Sequence, residues 1–141
     1  TPVIQFAGLL GRVSPEGAEA LAAAGVAAHQ GNSGRAASDL AAIVHDLEEK
    51  EQPPMLAAAA RIAADGGEAA IAAQIRSTLV QSHPEAPEVA EASLALARFH
   101  ARTPRGRDEA IRLLEDLISQ RPNAAVVPDA RVELDRLRGL R

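Results

Sequence analysis

The sequence predicts an all-α fold of antiparallel helix pairs stacked side by side, with about seven helices. Three observations carry this: an alanine-rich composition almost without aromatics, regular punctuation by Pro and Gly, and an internal repeat. The chain holds 32 Ala in 141 residues, two Phe (Phe6 and Phe99), and no Trp, Tyr or Cys. Alanine is the best intrinsic helix former, whereas strands favour β-branched and aromatic side chains. At 47% apolar residues the chain has enough hydrophobic material to fold. Its small side chains predict a shallow core in which helices approach closely.

Each helix is delimited by its own start and stop signals. Ser14-Pro15-Glu16 joins a cap, a proline at the first helical position and an acid, and predicts a helix from 15 to about 30 that ends in Gly31-Asn32. The second is expected over 33–51, with Ala36, Leu40, Ile43, Val44 and Leu47 at helical spacing, stopping before Pro53-Pro54. The third runs from about Pro54 to Ala64 and breaks at Asp65-Gly66-Gly67. The fourth carries Ile71, Ile75 and Leu79 and ends at Pro84. The fifth covers roughly Pro87 to Ala101, with Val89, Ala92, Leu96 and Phe99 on one face, and Thr103-Pro104-Arg105-Gly106 breaks it. The sixth, about Arg107 to Arg121, turns Ala110, Leu113, Leu114 and Leu117 inward. The seventh, about Pro128 to Leu140, has the inward set Val127, Ala130, Leu134 and Leu137. Leu96, Leu114 and Leu117 are expected in one core. Residues 1–141 read as one domain with 1–13 as a lead-in or linker. Because the chain begins at Thr1 and not Met, a fragment of a longer protein is expected.

The repeat is visible on shifting the chain by 38 residues. Residues 84–99 then lie over 122–137 with six identities: Pro84/Pro122, Ala86/Ala124, Val89/Val127, Ala92/Ala130, Leu96/Leu134 and Arg98/Arg136. Upstream, Ala60-Arg61-Ile62 matches Ala97-Arg98-Phe99 at a shift of 37. A helix pair of this length closed by proline resembles the tetratricopeptide repeat, and residues 94–122 carry the resemblance best. Leu96-Ala97 falls where that family has a large-small pair in its first helix. Asp108-Glu109-Ala110-Ile111 looks like the start of its second helix, Leu114 and Leu117 fall at the following core positions, and Pro122 comes 12 residues after Ala110. The chain departs from the family in its longer period, against a usual ~34 residues, in lacking the large aromatics of the first helix, and in its longer Thr103–Arg107 loop. It resembles a divergent member. The resemblance implies a short right-handed solenoid with a concave groove lined by the first helix of each pair.

Charge and motifs narrow the chemistry. The net charge of −4 argues against general nucleic-acid binding. Residues 1–97 carry 12 acids and 5 bases, a balance of −7; residues 98–141 carry 7 acids and 10 bases, a balance of +3. Lys50 is the sole Lys, and the Arg excess fits either carboxylate recognition or a GC-rich genome. With no Cys there is no thiolate nucleophile or ligand. Residues 3–10 (VIQFAGLL) are too short to span a membrane and lack the flanks of a signal peptide. The cellular compartment is left open. His29, His45, His83 and His100 show no i, i+4 metal spacing, and Gly66-Gly67 and Gly31-Asn32-Ser33-Gly34 read as turns. Asp46, Glu48, Glu49 and Glu51 read as a solvated helix end. No catalytic constellation, metal site or cofactor motif is read.

One pattern points to binding. Arg61, Arg98 and Arg136 recur at one repeat position, and Arg102 follows Arg98 by one turn. In the family, polar residues just after the large-small pair often face the groove, so the resemblance implies an Arg ladder for an acidic partner protein or peptide. The same residues would serve equally to pair with acids of neighbouring helices. The expected function is a non-catalytic interaction scaffold. A structural or self-assembly module, or a ligand-sensing regulatory domain, is the alternative.

Overall fold

The computed structural model describes residues 14–139. Among them the chain is all-helical, with seven α-helices: α1 (Pro15–His29), α2 (Ser33–Ile43), α3 (Gln52–Asp65), α4 (Ala69–Ser82), α5 (Val89–His100), α6 (Arg107–Gln120) and α7 (Val127–Leu137). Among the described residues no helix is long and apolar enough to cross a membrane. The expected lead-in 1–13 and Leu140 lie outside the described residues. Two compact units form, one running to Leu79 and one starting at Val80, with the boundary inside α4.

In the first unit, α1 starts as its sequence dictates. Ser14 Oγ accepts the Gly17 N–H at 3.2 Å, and Pro15 occupies the first turn, where its missing N–H leaves nothing unpaired. Gly31 ends the helix with φ 91°, a left-handed conformation that glycine adopts without a Cβ penalty. Helices α1, α2 and α3 pack on one another. Their contacts are lined largely by small side chains: Ala24, Ala36, Ala37, Ala59 and Ala63 are buried, and Met55 fills the remaining space with no exposed surface. The start of α2 lies against the end of α3, since a Cβ placed on Gly66 would overlap the Ser33 side chain. The end of α2 continues into a turn, Val44–Asp46, that packs on α3. The two helices are therefore antiparallel.

The second helix departs from expectation. It stops at Ile43, eight residues short of Glu51, and the chain proceeds through the 3-10 turn Val44–Asp46, an extended Leu47 (φ −88°, ψ 164°) and a second 3-10 turn, Glu49–Glu51. The third helix begins at once with Gln52, so Pro53 and Pro54 lie in its first turn and not in a loop. Val44 is buried at helical spacing from Leu40, which is why the periodicity continued past the true end. At the far end of this break lies Glu51. It is buried, and its carboxylate accepts the backbone N–H of Ser14 and, at 3.1 Å, that of Glu48. Gln52 Nε2 donates to the Leu47 carbonyl at 3.1 Å and satisfies the oxygen that the break leaves open. The expectation that Asp46, Glu48, Glu49 and Glu51 form one solvated helix end is corrected: the first three are exposed, and Glu51 ties the start of α1 to the start of α3.

In the second unit, α5 packs on α6 and α6 on α7. The expected inward residues of α6 and α7 are all buried, as are Val89, Ala92 and Leu96 of α5, while Phe99 is half-buried. Leu96, Leu114 and Leu117 lie in this unit's core. The two aligned segments are built alike. Before α5, Ala86 N–H donates to His83 O at 3.0 Å and Val89 N–H to Ala86 O at 3.1 Å; before α7, Ala124 donates to Arg121 at 3.0 Å and Val127 to Ala124 at 3.1 Å. Side chains lock the ends. Arg121 Nη2 donates to the Pro84 carbonyl at 2.9 Å, placing the end of α6 beside the turn that starts α5. Arg107 Nε donates to the Leu137 carbonyl at 2.8 Å, placing the start of α6 beside the end of α7. Both neighbouring pairs are thus antiparallel. A cation at the C-terminus of α7 also complements its open carbonyls.

Along the whole chain the odd-numbered helices start at Pro15, Gln52, Val89 and Val127, in steps of 37, 37 and 38 residues.

Leu114→Ala, at a site with no exposed surface, is expected to cost ~2–5 kcal/mol in urea unfolding; a loss under about 0.5 kcal/mol, as at surface sites, would contradict its place in the core. Glu51 gives a pH signature. The Ser14 N–H holds its carboxyl below the ordinary value of 4.5, against the opposing effect of burial. A lowered pKa means that the charged form stabilises the fold: the contribution is complete above about pH 4.5 and disappears as pH falls through the lowered folded value. Glu51→Gln should therefore melt below wild type at pH 7, and the gap should close on acidification. A gap unchanged between neutral and strongly acid pH would show that the carboxylate charge is not its source.

Candidate functional site

Arg61, Arg98 and Arg136 share one local register. Each is the tenth residue of its helix, counted from Gln52 in α3, Val89 in α5 and Val127 in α7, and each is exposed. Arg61 belongs to the first unit; Arg98, Arg102 and Arg136 belong to the second.

Within the second unit Arg98 and Arg136 meet at one carboxylate. Arg98 Nε is 3.6 Å from Glu133 Oε1, and Arg136 Nη2 is 2.5 Å from Glu133 Oε2. The Glu133 side chain is 18% exposed against 51% for Arg98 and 63% for Arg136, so the acid is set into the surface and the two guanidinium groups lie over it. One negative charge opposes two positive ones, and the excess faces solvent. Arg102 takes a different position: its guanidinium lies 5.6 Å from the centroid of the Phe99 ring, in cation–π contact, and the ring meets His100 edge-on at 5.7 Å. The structure thus brings Arg98 and Arg136 together on Glu133, with Arg102 four residues on, in the turn that follows α5.

Glu133 was not singled out in the sequence, although its spacing of three residues from Arg136 is a helical ion-pair spacing. The roles of Arg107 and Arg121, donating to carbonyls 30 and 37 residues away, leave no local trace in sequence. Glu51 had a signal: Glu48 and Glu51 are three apart immediately before Pro53-Pro54, the spacing of a capping box.

The turn joining α5 to α6 is longer than the turns after α1 and α3. Residues 30–32 join α1 to α2 and residues 66–68 join α3 to α4, whereas 101–106 join α5 to α6. It is nevertheless tightly built. Thr103 Oγ1 accepts the Gly106 N–H at 3.3 Å, Pro104–Gly106 form a 3-10 turn, and Arg102 N–H donates to Phe99 O at 3.2 Å. Gly106 packs directly on the His100 carbonyl, leaving no room for a Cβ. On α6, Arg112 bridges Glu109 (Nε–Oε2 3.0 Å) and Asp116 (Nη1–Oδ2 3.0 Å), and the Arg112 hydrogen bond holds the Glu109 carboxyl below its ordinary value.

His29 and His45 are exposed, and His83 and His100 are half-buried. Among the described residues no group of three or more His, Asp or Glu is placed to hold a metal ion. The arrangement is suited to binding anions through guanidinium groups. No family model matches the chain, and no curated protein and no solved structure matches it significantly.

Gly106→Ala is expected to destabilise the second unit by about 1–3 kcal/mol, the range for overpacking. Its φ of −89° is open to any residue, so the cost would be steric alone. Denaturant unfolding checks this, and a neutral result would show that the turn can open away from His100.

Proposed function

We propose that this chain is a non-catalytic protein-interaction module of divergent tetratricopeptide-like helix pairs that takes an acidic partner segment in a concave helical groove. The observation that carries the reading is the shared register of Arg61, Arg98 and Arg136, each at the tenth position of its helix. The recurrence of helix starts in steps of 37, 37 and 38 residues supports it, because a fixed period along the chain is the signature of repeated helix pairs. The partial neutralisation of Arg98 and Arg136 by Glu133 suits such a role: the carboxylate orients two guanidinium groups while leaving excess positive charge for a ligand.

A self-assembly module is the second reading. Its support is Val26 on α1 and Val132 on α7, exposed by 60% and 68%. The surroundings of Val132 weigh against it, since Asp129, Arg131, Asp135 and Arg136 are also exposed on α7. A charged outer face is what a terminal repeat needs in order to stay in solution.

The test compares capture of cellular partners by wild type and by the Arg61→Ala/Arg98→Ala double variant, with helicity verified by circular dichroism. Capture should fall and should weaken with salt, since exposed charges are screened beyond ~8 Å at physiological ionic strength. Folding should survive, because Arg136 still pairs with Glu133 and an exposed ion pair contributes roughly 0–1 kcal/mol. Equal capture by both proteins would refute the Arg ladder. Association of wild type with itself in sedimentation, at the expense of other partners, would favour the second reading.

A further inference from the structure

The arginines of this chain differ in what they already hold. Arg98, Arg136, Arg112, Arg138 and Arg35 each lie at a carboxylate, and Arg107 and Arg121 donate to backbone carbonyls. Arg102, Arg105 and, on α7, Arg131 have no carboxylate at ion-pair distance among the described residues, and all three are exposed. Arg102 and Arg105 sit together on one turn, 101–106, which is longer than its two counterparts. Those counterparts, Gln30-Gly31-Asn32 and Gly66-Gly67-Glu68, carry no base. The added length therefore adds two guanidinium groups to a turn whose counterparts hold none.

The turn is also ordered by its own chemistry. The Thr103 hydroxyl, the 3-10 turn at Pro104 and the close seat of Gly106 on His100 hold the backbone between the two arginines in one shape. Phe99 lies beneath the Arg102 guanidinium at 5.6 Å and limits its rotamers. A preordered guanidinium loses less freedom on binding than a mobile one. Arg107 adds a third base at the adjacent helix start, and its bond to the Leu137 carbonyl brings the end of α7 to the same side. The one carboxylate near in sequence and without an ion pair of its own is the exposed Asp108, since Glu109 is held by Arg112.

We propose that the α5–α6 turn is an anchoring site for a carboxylate-rich protein segment, gripped by Arg102 and Arg105. The inference rests on the interaction-module reading and moves its strongest contact from the Glu133-paired arginines to this turn. Planar guanidinium groups match carboxylates in paired hydrogen bonds. An acidic peptide is favoured over nucleic acid because the chain is acidic overall, at −4, and the Phe99 ring beside the turn is already covered by Arg102.

The experiment titrates a labelled Gly-Ser peptide carrying a run of glutamates into the full chain and reads fluorescence anisotropy at low and physiological salt. Arg102→Glu/Arg105→Glu should weaken binding about tenfold or more, the order expected when charged contacts become repulsive. Arg105→Glu alone, at a side chain with no internal ion pair, keeps the test valid if loss of the Arg102–Phe99 contact disturbs folding. The charge-matched control Arg35→Glu/Arg131→Glu should leave affinity within about twofold. Equal losses in both double variants would mean that a diffuse field attracts the peptide and would overturn the site. No loss in either, with loss in Arg98→Ala, would overturn the placement and leave the module reading standing. If none of these variants alters peptide binding or partner capture, the module reading fails with it. Tighter binding of a single-stranded oligonucleotide with the same arginine dependence would overturn the choice of partner.

Discussion

Close approach between helices with small side chains is the constraint on which this structure depends. Ala36, Ala37, Ala59 and Ala63 in the first unit, and Ala92, Ala110 and Ala130 in the second, are buried where a larger protein core would hold Leu or Phe. Each methyl removes little apolar surface from water, and burial contributes about 25 cal/mol per Å². The compensation lies in dispersion between closely packed backbones and in alanine's low cost of ordering. Leu21, Met55, Leu79 and Leu114 supply the larger volumes that this packing still needs, and each is almost wholly enclosed.

A shallow core gives weight to the polar bonds at helix ends. Three of them join residues far apart in sequence: Glu51 with the Ser14 N–H, Arg121 with the Pro84 carbonyl, and Arg107 with the Leu137 carbonyl. All three satisfy or neighbour open backbone groups at helix termini, where hydrogen bonds would otherwise be made to water. The first two span 37 residues, the same interval that separates the starts of α1, α3 and α5. Register between neighbouring helices is thus defined twice, by apolar periodicity and by side chains that reach one helix pair along.

How much of this could be read from sequence follows from how local each cause is. Pro15, Gly31, Gly67 and Pro122 act on their own backbone, so six of the seven helices fell within a few residues of expectation. The period was legible because Pro84/Pro122 and Leu96/Leu134 stand in equivalent turns and cores. The end of α2 was not legible, because Val44 kept the helical rhythm going and the bond that seats Glu51 beyond the break is made to an amide 37 residues earlier. The register of Arg61, Arg98 and Arg136 was visible from the repeat. That Glu133 would lie between two of them was not, since it has no counterpart in the preceding repeat, where Ala95 stands at the equivalent position.

The departure at Glu133 bears on how charge is distributed over the second unit. An array that only needed solubility could scatter its arginines, and most exposed ion pairs would then be worth little. Here the pairing is selective. Arg112 is held by Glu109 and Asp116, Arg138 by Glu115, and Arg98 with Arg136 by Glu133. Helical spacing and helix contact bring these pairs within reach. Arg102 and Arg105 escape the pattern because they lie on a turn, outside the i, i+3 and i, i+4 geometry that supplies partners elsewhere. Their backbone is nevertheless held by Thr103, Pro104 and Gly106. Arg131 on α7 is likewise exposed and without an ion pair, but it stands alone; two such arginines close together on one ordered turn distinguish 101–106, and pairing by a partner's carboxylates is what that combination suits.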